Sequence, residues 1–268
     1  MKTYPRVLTI AGSDSGGGAG IQADIKSISA TGGYAASAIT AITVQNTIGV
    51  SAVHAVPVEI LGGQIDAVLS DIGADAVKIG MLHSEEVIMC VKQKLIDHGV
   101  KNIVLDPVMV ATSGHKLIED EAIAVLIREL VPIARVITPN IPEAEIMAGK
   151  KIRSQADLPA IARKLSCGGK VSVLMKAGHL TEEDLTDIFY NAEKDTCIEL
   201  HSRRIHSANT HGTGCTLSSA IASNLALGHD MPESIRLAKE YISNALAAML
   251  DLGAGSGPMN HAFMIEAK

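Results

Sequence analysis

The strongest constraint on the fold is a regular alternation, along the whole chain, of short apolar runs with segments of helical periodicity. The first run, R-V-L-T-I-A at residues 6–11, is apolar and β-branched, which predicts a buried strand. Residues 21–31 follow with isoleucines at helical spacing, which predicts a helix. Strands that alternate with helices in this way form βαβ units, and apolar strands suit a mostly parallel sheet covered on both faces. We therefore expect an α/β fold.

The same patterns predict the remaining elements. Strands are predicted at residues 37–44, 50–56, 76–79, 103–105, 135–138 and 171–175, with a hairpin or edge meander at 187–190 and 196–205. Helices are predicted at residues 57–72, 85–97, 119–130, 142–148, 155–166, 216–227 and 233–250. Because no repeat, low-complexity segment or linker interrupts this order, we expect a single domain over residues 1–268.

Composition argues against several classes of partner and location. The 268 residues carry a net charge of -6 without a large cluster of Lys or Arg, which argues against nucleic acid as a partner. No stretch approaches the ~18 consecutive apolar residues of a membrane span, and the N-terminus lacks the apolar run of a signal peptide. The four cysteines are scattered without a C-x-x-C pair, as in a reduced protein. We expect a cytoplasmic protein with neither a membrane nor a nucleic acid partner.

Polar, glycine or flexible residues follow nearly every predicted strand. Ligands of open α/β sheets bind beyond the carboxyl ends of the strands, so these residues mark a predicted crevice. They are Gly12, Ser13, Asp14, Gln45, Asn46, Gly80, Met81, Asp106, Pro107, Thr138, Asn140, Lys176 and Gly178.

The segment N-T-H-G-T-G-C-T-L at residues 209–217 leads into a predicted helix of small residues. Gly212 and Gly214 permit a tight turn, and free N–H groups at a helix start bind anions. Cys215 lies in the first turn, where the positive end of the helix dipole lowers the pKa of a thiol. We interpret the turn as a site that holds phosphate charge while a hydroxyl is phosphorylated. A plain glycine turn with a buried cysteine is the alternative.

Other candidates at strand ends have simpler alternatives. Asn140 and Glu143 could order a water shell around Mg²⁺, or form an ordinary N-cap with its acid. Lys176 could neutralise a transferred phosphate or be a solvated charge. Asp106 could help to hold a metal or only end its strand. His211 is the one histidine beside a proposed site, and we interpret it as structural.

The loop after the first strand contains G-A-G-I-Q-A at residues 18–23, a degenerate match to the dinucleotide-binding fingerprint. That fingerprint needs an acid near the end of the second strand, where this chain has Gln45 and Asn46, and no Walker lysine follows the glycines. A dinucleotide-dependent oxidoreductase is therefore disfavoured. We expect the loop to let a small ligand approach, with Asp24 on the next helix; tight strand–helix packing is the alternative.

Seven motifs occur in an order that resembles one family over essentially the whole chain. They are T-I-A-G-S-D-S-G-G-G-A-G-I-Q-A-D-I-K at 9–26, V-Q-N-T at 44–47, K-I-G-M-L at 78–82, D-P-V-M at 106–109, T-P-N-I-P-E-A at 138–144, M-K-A-G-H at 175–179 and N-T-H-G-T-G-C-T-L-S at 209–218. The family is the bacterial hydroxymethylpyrimidine/phosphomethylpyrimidine kinase of thiamine biosynthesis, in the ribokinase superfamily.

The resemblance implies a ribokinase-like three-layer αβα sandwich, a homodimer, and a kinase that uses ATP and Mg²⁺. The implied substrates are 4-amino-5-hydroxymethyl-2-methylpyrimidine and then its monophosphate, which becomes the diphosphate. By matching position, Gln45 would contact the pyrimidine edge, since an amide both donates and accepts hydrogen bonds. Asp24 and Gly12 would line the same pocket, with Met81 and Val108 as apolar contacts.

At the other end of the site, the turn at residues 212–215 would be the anion hole. The residues assigned to the nucleotide and the metal are Asn140, Lys176, Thr213, Glu143 and Asp106. Most of the superfamily has an Asp base at the position of Cys215. A Cys at this position matches the pyrimidine-kinase branch. A thiolate there would accept the hydroxymethyl proton, whereas the second acceptor, an ionised phosphate, needs no base. Pyridoxal kinase of the same branch is the alternative; an intact Lys176 argues against a non-catalytic pyrimidine sensor.

Overall fold

Ten strands lie in the part of the chain that this computed structural model describes, residues 4–110 and 117–265. They are β1 (Arg6–Ala11), β2 (Tyr34–Ile39), β3 (Ala41–Gln45), β4 (Val50–Ala55), β5 (Ala76–Ile79), β6 (Ile103–Leu105), β7 (Val136–Ile137), β8 (Ser172–Met175), β9 (Asp184–Asn191) and β10 (Thr196–Arg203). Eight of them form one sheet in the order β10-β9-β8-β7-β6-β5-β1-β2. The strands from β2 to β8 in that order are parallel, and β9 and β10 continue the sheet antiparallel.

Helices connect the strands in the predicted sequence. They are α1 (Gly20–Ala30), α2 (Val58–Ala67), α3 (Glu85–Asp97), α4 (Asp120–Val125), α5 (Ile141–Ala148), α6 (Leu158–Leu165), α7 (Thr213–Ala226) and α8 (Met231–Ala247). Wider turns prolong α2 through Val68–Ile72 and α4 through Leu126–Leu130, so both helical segments end where the sequence predicts. Across the described ranges, no helix has the length and apolar character that a membrane crossing requires.

The alternating side chains of the strands divide the interior into two cores. On one face, Leu8 and Leu105 pack with residues of α2 to α6. On the other, Val7 and Val104 pack with residues of α1, α7 and α8. With two Phe and no Trp in the chain, both cores are mainly aliphatic. This arrangement confirms the predicted three-layer αβα sandwich with a mostly parallel central sheet.

The predicted strand at residues 37–44 is wrong in its extent, because the chain leaves the sheet at Thr40. The buried Thr40 donates its N–H to the Ala11 carbonyl at 3.0 Å and its hydroxyl to the Met81 carbonyl at 2.9 Å, which fixes a bend. Beyond the bend, β3 pairs with β4 as a separate antiparallel hairpin. The apolar run continues through the bend, so its pattern alone does not reveal the change of sheet. The hairpin lies against Ser13 in the loop after β1.

Two isoleucines of α2 provide a matched test of the core. Ile65 is fully buried, whereas Ile60 is 54% exposed. We expect Ile65→Ala to lower the free energy of unfolding by about 2–5 kcal/mol, because it leaves a cavity. Ile60→Ala should change it by less than about 0.5 kcal/mol. Equilibrium urea denaturation measures both, and equal effects would contradict the packing of α2 on the sheet.

Candidate active site

The glycine turn before α7 closes on the ends of two strands. Gly212 has φ 81°, a left-handed conformation that favours glycine, and a Cβ there would overlap the Gly18 carbonyl oxygen. A Cβ at Gly214 would lie 2.9 Å from Asp106 Oδ2 and 3.4 Å from Lys176 Nζ. The structure therefore brings the predicted turn, with Thr213 at the first position of α7, against the predicted lysine and aspartate.

Lys176 and Asp106 form an ion pair that is largely buried. Lys176 is therefore not a solvated charge, and Asp106 does more than end its strand. Lys176 Nζ lies 3.1 Å from Asp106 Oδ1, and the Thr138 hydroxyl donates to the same oxygen at 2.9 Å. Burial acts to lower the pKa of Lys176, but Asp106 and Glu143 outweigh it and raise that pKa. The ammonium group therefore stays charged beside the turn, where it can stabilise phosphate oxygens.

Asn140 and Glu143 form a complete capping box at the start of α5. The Glu143 N–H donates to Asn140 Oδ1 at 3.0 Å, and the Asn140 N–H donates to Glu143 Oε2 at 2.8 Å. The ordinary N-cap that we weighed as the alternative is thus present. Glu143 is nevertheless buried, and burial raises its pKa to about 7, with Lys176 acting to lower it and Asp106 to raise it. The cap therefore also places a titratable carboxyl group beside the ion pair.

The two predicted metal residues supply a pair of carboxyl groups rather than a closed metal cage. In residues 4–110 and 117–265, no cluster of three or more His, Cys, Asp or Glu side chains could hold a metal ion. Mg²⁺ commonly binds through one or two carboxylates together with waters and substrate phosphates. Asp106 directs Oδ1 to Lys176 and has Oδ2 facing the glycine turn, so the donor set fits a magnesium ion that arrives with a nucleotide.

The expectation that the helix start lowers the pKa of Cys215 is wrong for the free protein. Burial raises the pKa of this thiol to about 11. Among its charged neighbours, Lys78 lowers the pKa, and Asp24 and Asp106 raise it. The backbone amide of Gly20 also acts to lower this pKa. At neutral pH the thiol is therefore protonated, since the cost of burying a charge exceeds the effect of Lys78 and Gly20.

The expectation that Asp24 lines a pocket is also wrong. Its side chain is fully buried, and both carboxylate oxygens lie 2.8 Å from Lys78 Nζ. The hydroxyls of Thr9 and Ser219 donate to it at 2.6 and 2.7 Å. These four contacts occupy the carboxylate, and none of its surface is left for a ligand.

The other predicted substrate residues lie at the strand ends. Gly12 and Met81 are in contact, because a Cβ on Gly12 would lie 2.7 Å from Met81 Cε. Val108 is half-buried just beyond β6. Gln45 ends β3, with its Nε2 atom 3.2 Å from His211 Nε2, so the hairpin brings this amide to the glycine turn.

His211 has a larger part in this site than the sequence indicates. Its Nε2 atom lies 2.8 Å from Asp14 Oδ2, and because a carboxylate only accepts, this nitrogen carries the proton. Asp14 also accepts backbone N–H bonds from Gly16, Gly18 and Ala19. Burial acts to raise the pKa of Asp14, but His211 and these amides lower it overall. Asp14 and His211 are 197 residues apart, so no local pattern could have paired them.

The C-terminal segment, to which the sequence assigns no role, joins the hairpin to the glycine turn. The Gly255 N–H donates to the Thr47 hydroxyl at 3.2 Å, in the loop between β3 and β4. The His211 N–H donates to the Gly257 carbonyl at 3.1 Å, and Thr216 Oγ1 lies 2.9 Å from His261 Nε2. Residues after α8 therefore form one wall of the site.

In this αβα sandwich, the strand ends and the N-terminus of α7 bring together a glycine turn, a lysine and two carboxyl groups. This combination is typical of a phosphotransferase. A profile of the family described as phosphomethylpyrimidine kinase matches residues 14–260. The chain belongs to the phosphomethylpyrimidine kinase family, and the predicted family and its kinase class are confirmed.

Curated relatives cover this chain nearly from end to end. The hydroxymethylpyrimidine/phosphomethylpyrimidine kinase of Rhizobium meliloti is 49% identical over 257 residues, which are 95% of this chain and 96% of that protein. The thiamine biosynthesis bifunctional protein ThiED of Geobacter sulfurreducens is 48% identical over 98% of this chain. The chain spans 54% of that protein, about half the length of such bifunctional relatives.

Solved structures include both of the kinases that the sequence left open. The phosphomethylpyrimidine kinase of Clostridium difficile is 46% identical, with a TM-score of 0.79 over 90% of this chain and 98% of that one. An ADP complex of Bacillus subtilis pyridoxal kinase is 34% identical, with a TM-score of 0.90 over 98% of this chain and 99% of that one. Because both match closely, the fold alone does not distinguish the two activities.

Gly214 offers a direct test of the turn. We expect Gly214→Ala to reduce kinase activity by about 10²-fold or more, because the new methyl group displaces Asp106 or Lys176 from the turn. The urea midpoint of the variant is measured as well, so that the activities are compared under conditions in which both proteins are fully folded. Gly63→Ala on α2 is the control, because its Cβ meets nothing within 4 Å. Full activity of Gly214→Ala would show that the turn does not position these groups.

The buried Glu143 predicts a pH dependence of stability. Its pKa is raised from 4.5 to about 7, so the folded protein binds more protons than the unfolded chain in that window. The contribution of Glu143 to stability therefore falls as pH rises from 4.5 to 7. Relative to wild type, Glu143→Gln should gain up to about 3 kcal/mol between pH 4.5 and 8.

Urea denaturation at several pH values measures this difference. Glu182→Gln is the control, because Glu182 is exposed and its substitution should give a difference that does not vary with pH. A Glu143→Gln protein whose stability follows that of wild type at every pH would contradict the prediction.

Proposed function

We propose that this protein phosphorylates 4-amino-5-hydroxymethyl-2-methylpyrimidine with ATP and then phosphorylates the monophosphate to the diphosphate, for thiamine biosynthesis. The observation that carries the proposal is the convergence of the turn at residues 212–215 with Lys176 and Asp106. Phosphoryl transfer depends on positioning and on stabilisation of charge, which such a turn and a buried ammonium supply. The names of the relatives support the choice of substrate.

At the phosphate end, the N–H groups at the start of α7 and the Lys176 ammonium hold the transferred group in both steps. Asn140 and Thr213 lie on the nucleotide side, and Glu143 and Asp106 would hold the Mg²⁺ that accompanies ATP. When bound, Mg²⁺ would neutralise phosphate charge. Lys176 remains charged in the absence of ligand, so the protein needs little rearrangement to receive an anion.

At the acceptor end, Gln45 reads the pyrimidine edge by donating and accepting hydrogen bonds. Gly12, Met81 and Val108 give the ring its apolar surroundings. The Gln45 amide lies beside His211 at the glycine turn. Asp24 has no direct contact with the substrate in this proposal, since its carboxylate is enclosed.

Cys215 acts as the base of the first step only. The hydroxymethyl group must lose a proton as it attacks, whereas the monophosphate is already ionised. We expect Cys215→Ala to lower the rate of the first phosphorylation by about 10²–10⁴-fold and to affect the second far less. Separate measurement of the two rates, each with its own purified acceptor, checks this expectation.

The pH profile adds a second measure of the same role. Because the pKa of Cys215 is about 11, the thiolate fraction rises about tenfold per pH unit between pH 7 and 9. The first phosphorylation should follow that rise in wild type and should lose it in Cys215→Ala. Cys197→Ala, on β10, is the matched control and should behave as wild type. Equal loss of both phosphorylations would refute the proposed base.

Pyridoxal kinase activity is the second candidate, favoured by the close likeness to the Bacillus subtilis pyridoxal kinase. A coupled ADP-release assay with the hydroxymethylpyrimidine, with pyridoxal and without acceptor separates the possibilities. The main proposal requires a much higher kcat/KM for the pyrimidine. A preference for pyridoxal would replace it with the second candidate, and no acceptor-dependent release would favour a non-catalytic binding protein.

We also propose a homodimer of single-domain subunits in the cytoplasm. All four cysteines are free, which suits a reducing compartment. One sheet carries both helical layers, which supports a single domain over residues 1–268. Sedimentation of the purified protein tests the homodimer, since a species of about 28.0 kDa at micromolar concentration would contradict it.

A further inference from the structure

Lys78 and Asp24 form an ion pair with no exposed surface, and the roles proposed so far do not use it. The pair joins β5 to α1, and the Thr9 and Ser219 hydroxyls extend it to β1 and α7. Desolvation offsets much of the attraction in a buried ion pair, so such a pair is weak grounds for stability. The position of this ion pair indicates a role in the active site.

The ion pair lies one helical turn beneath Cys215. On α7, Cys215 and Ser219 are four residues apart and therefore share a face. On α1, Gly20 and Asp24 have the same spacing. The Ser219 hydroxyl donates to Asp24 at 2.7 Å, and the backbone amide of Gly20 acts on the Cys215 thiol, so the two helices meet in matched positions.

The Lys78 side chain extends toward the active-site edge of the sheet. Its Nζ atom lies so close to Gly80 that a Cβ there would be 2.8 Å away. Gly80 follows the carboxyl end of β5, and the neighbouring strand β6 is followed by Asp106. The ammonium group is therefore buried directly below the site and has no route to solvent.

Four charged groups from different elements influence the Cys215 thiol. They are Lys78 on β5, Asp24 on α1, Asp106 after β6 and Lys176 after β8. Burial raises the pKa of the thiol most, and of the charged groups Lys78 has the largest effect, in the opposite direction. Lys78 therefore favours the thiolate, and Asp24 and Asp106 oppose it.

We propose that Lys78 is a positioning residue of the first phosphorylation: its ammonium group, held by Asp24, keeps positive charge beneath Cys215 and favours the thiolate. The inference rests on the proposed function, in which Cys215 is the base. The thiolate takes the hydroxyl proton as the new oxygen–phosphorus bond forms and the bond from the γ-phosphorus to the ADP oxygen breaks. The thiol then returns that proton to solvent.

Two variants separate the charges of the ion pair from its packing. Asp24→Asn with Lys78→Met removes both charges while keeping similar side-chain volumes, and alkylation of Cys215 by iodoacetamide should slow by about threefold to tenfold. Thr9→Val removes one hydrogen bond to Asp24 and keeps both charges, so it is the matched control, and alkylation should stay within about twofold of wild type. The readout is the rate at pH 8–9 in the free protein, resolved by peptide mass spectrometry, with Cys197 as the internal control that stays unchanged.

Kinetics of the same variants complete the test. In the double variant, kcat/KM of the first phosphorylation should fall with the alkylation rate, and that of the second should stay within about twofold. Unchanged alkylation in the double variant, or equal slowing in Thr9→Val, would overturn the proposal, as would equal loss of both phosphorylations. Alkylation needs no substrate, so failure of the wild-type protein to phosphorylate the pyrimidine would count against the proposed function and not against the effect of Lys78 on the thiol.

Discussion

Parallel pairing of β2, β1, β5, β6, β7 and β8 sets the carboxyl ends of six strands at one edge of the sheet. Groups that are far apart in sequence meet there, because each of these strands is followed by a polar or glycine residue. The N-terminus of α7 reaches this edge and adds its free N–H groups. The site therefore follows from the direction of the strands, which the helical crossovers impose.

Charges around this edge are buried and paired before any ligand arrives. Lys176 pairs with Asp106 and Lys78 with Asp24, and the Asp14 carboxylate is hydrogen-bonded by His211. Pairing keeps both ammonium groups charged in a medium where electrostatic effects are strong. Such a site gains its catalytic power from preorganisation, because little solvent or side-chain rearrangement is needed when charge develops.

The proposed acceptor end is held less firmly in the structure than the proposed phosphate end. Gln45 belongs to a two-stranded hairpin outside the main sheet, and its link to the glycine turn is the amide contact with His211. The segment after α8 holds this hairpin through Thr47.

The sequence predicted much of the fold because its signals are local. The helix over Glu85–Asp97 and the strand Ala76–Ile79 are where periodicity places them. The boundary at Thr40 was missed because one apolar run passes from the sheet to the hairpin. At the proposed phosphate end, the residue types after the strands and at the glycine turn were sufficient to predict that Asp106 and Lys176 lie in one site.

By itself, the sequence determined the αβα architecture, the family and the residues at the strand ends, since strand direction and glycine turns depend on neighbours in the chain. Only the tertiary structure decided that Asp24 is enclosed by Lys78, that His211 meets Asp14, and that the Cys215 thiol is protonated. These properties depend on burial and on charges brought together from distant segments. A pKa and a pocket wall are set by what surrounds a side chain in space, and no local pattern contains that information.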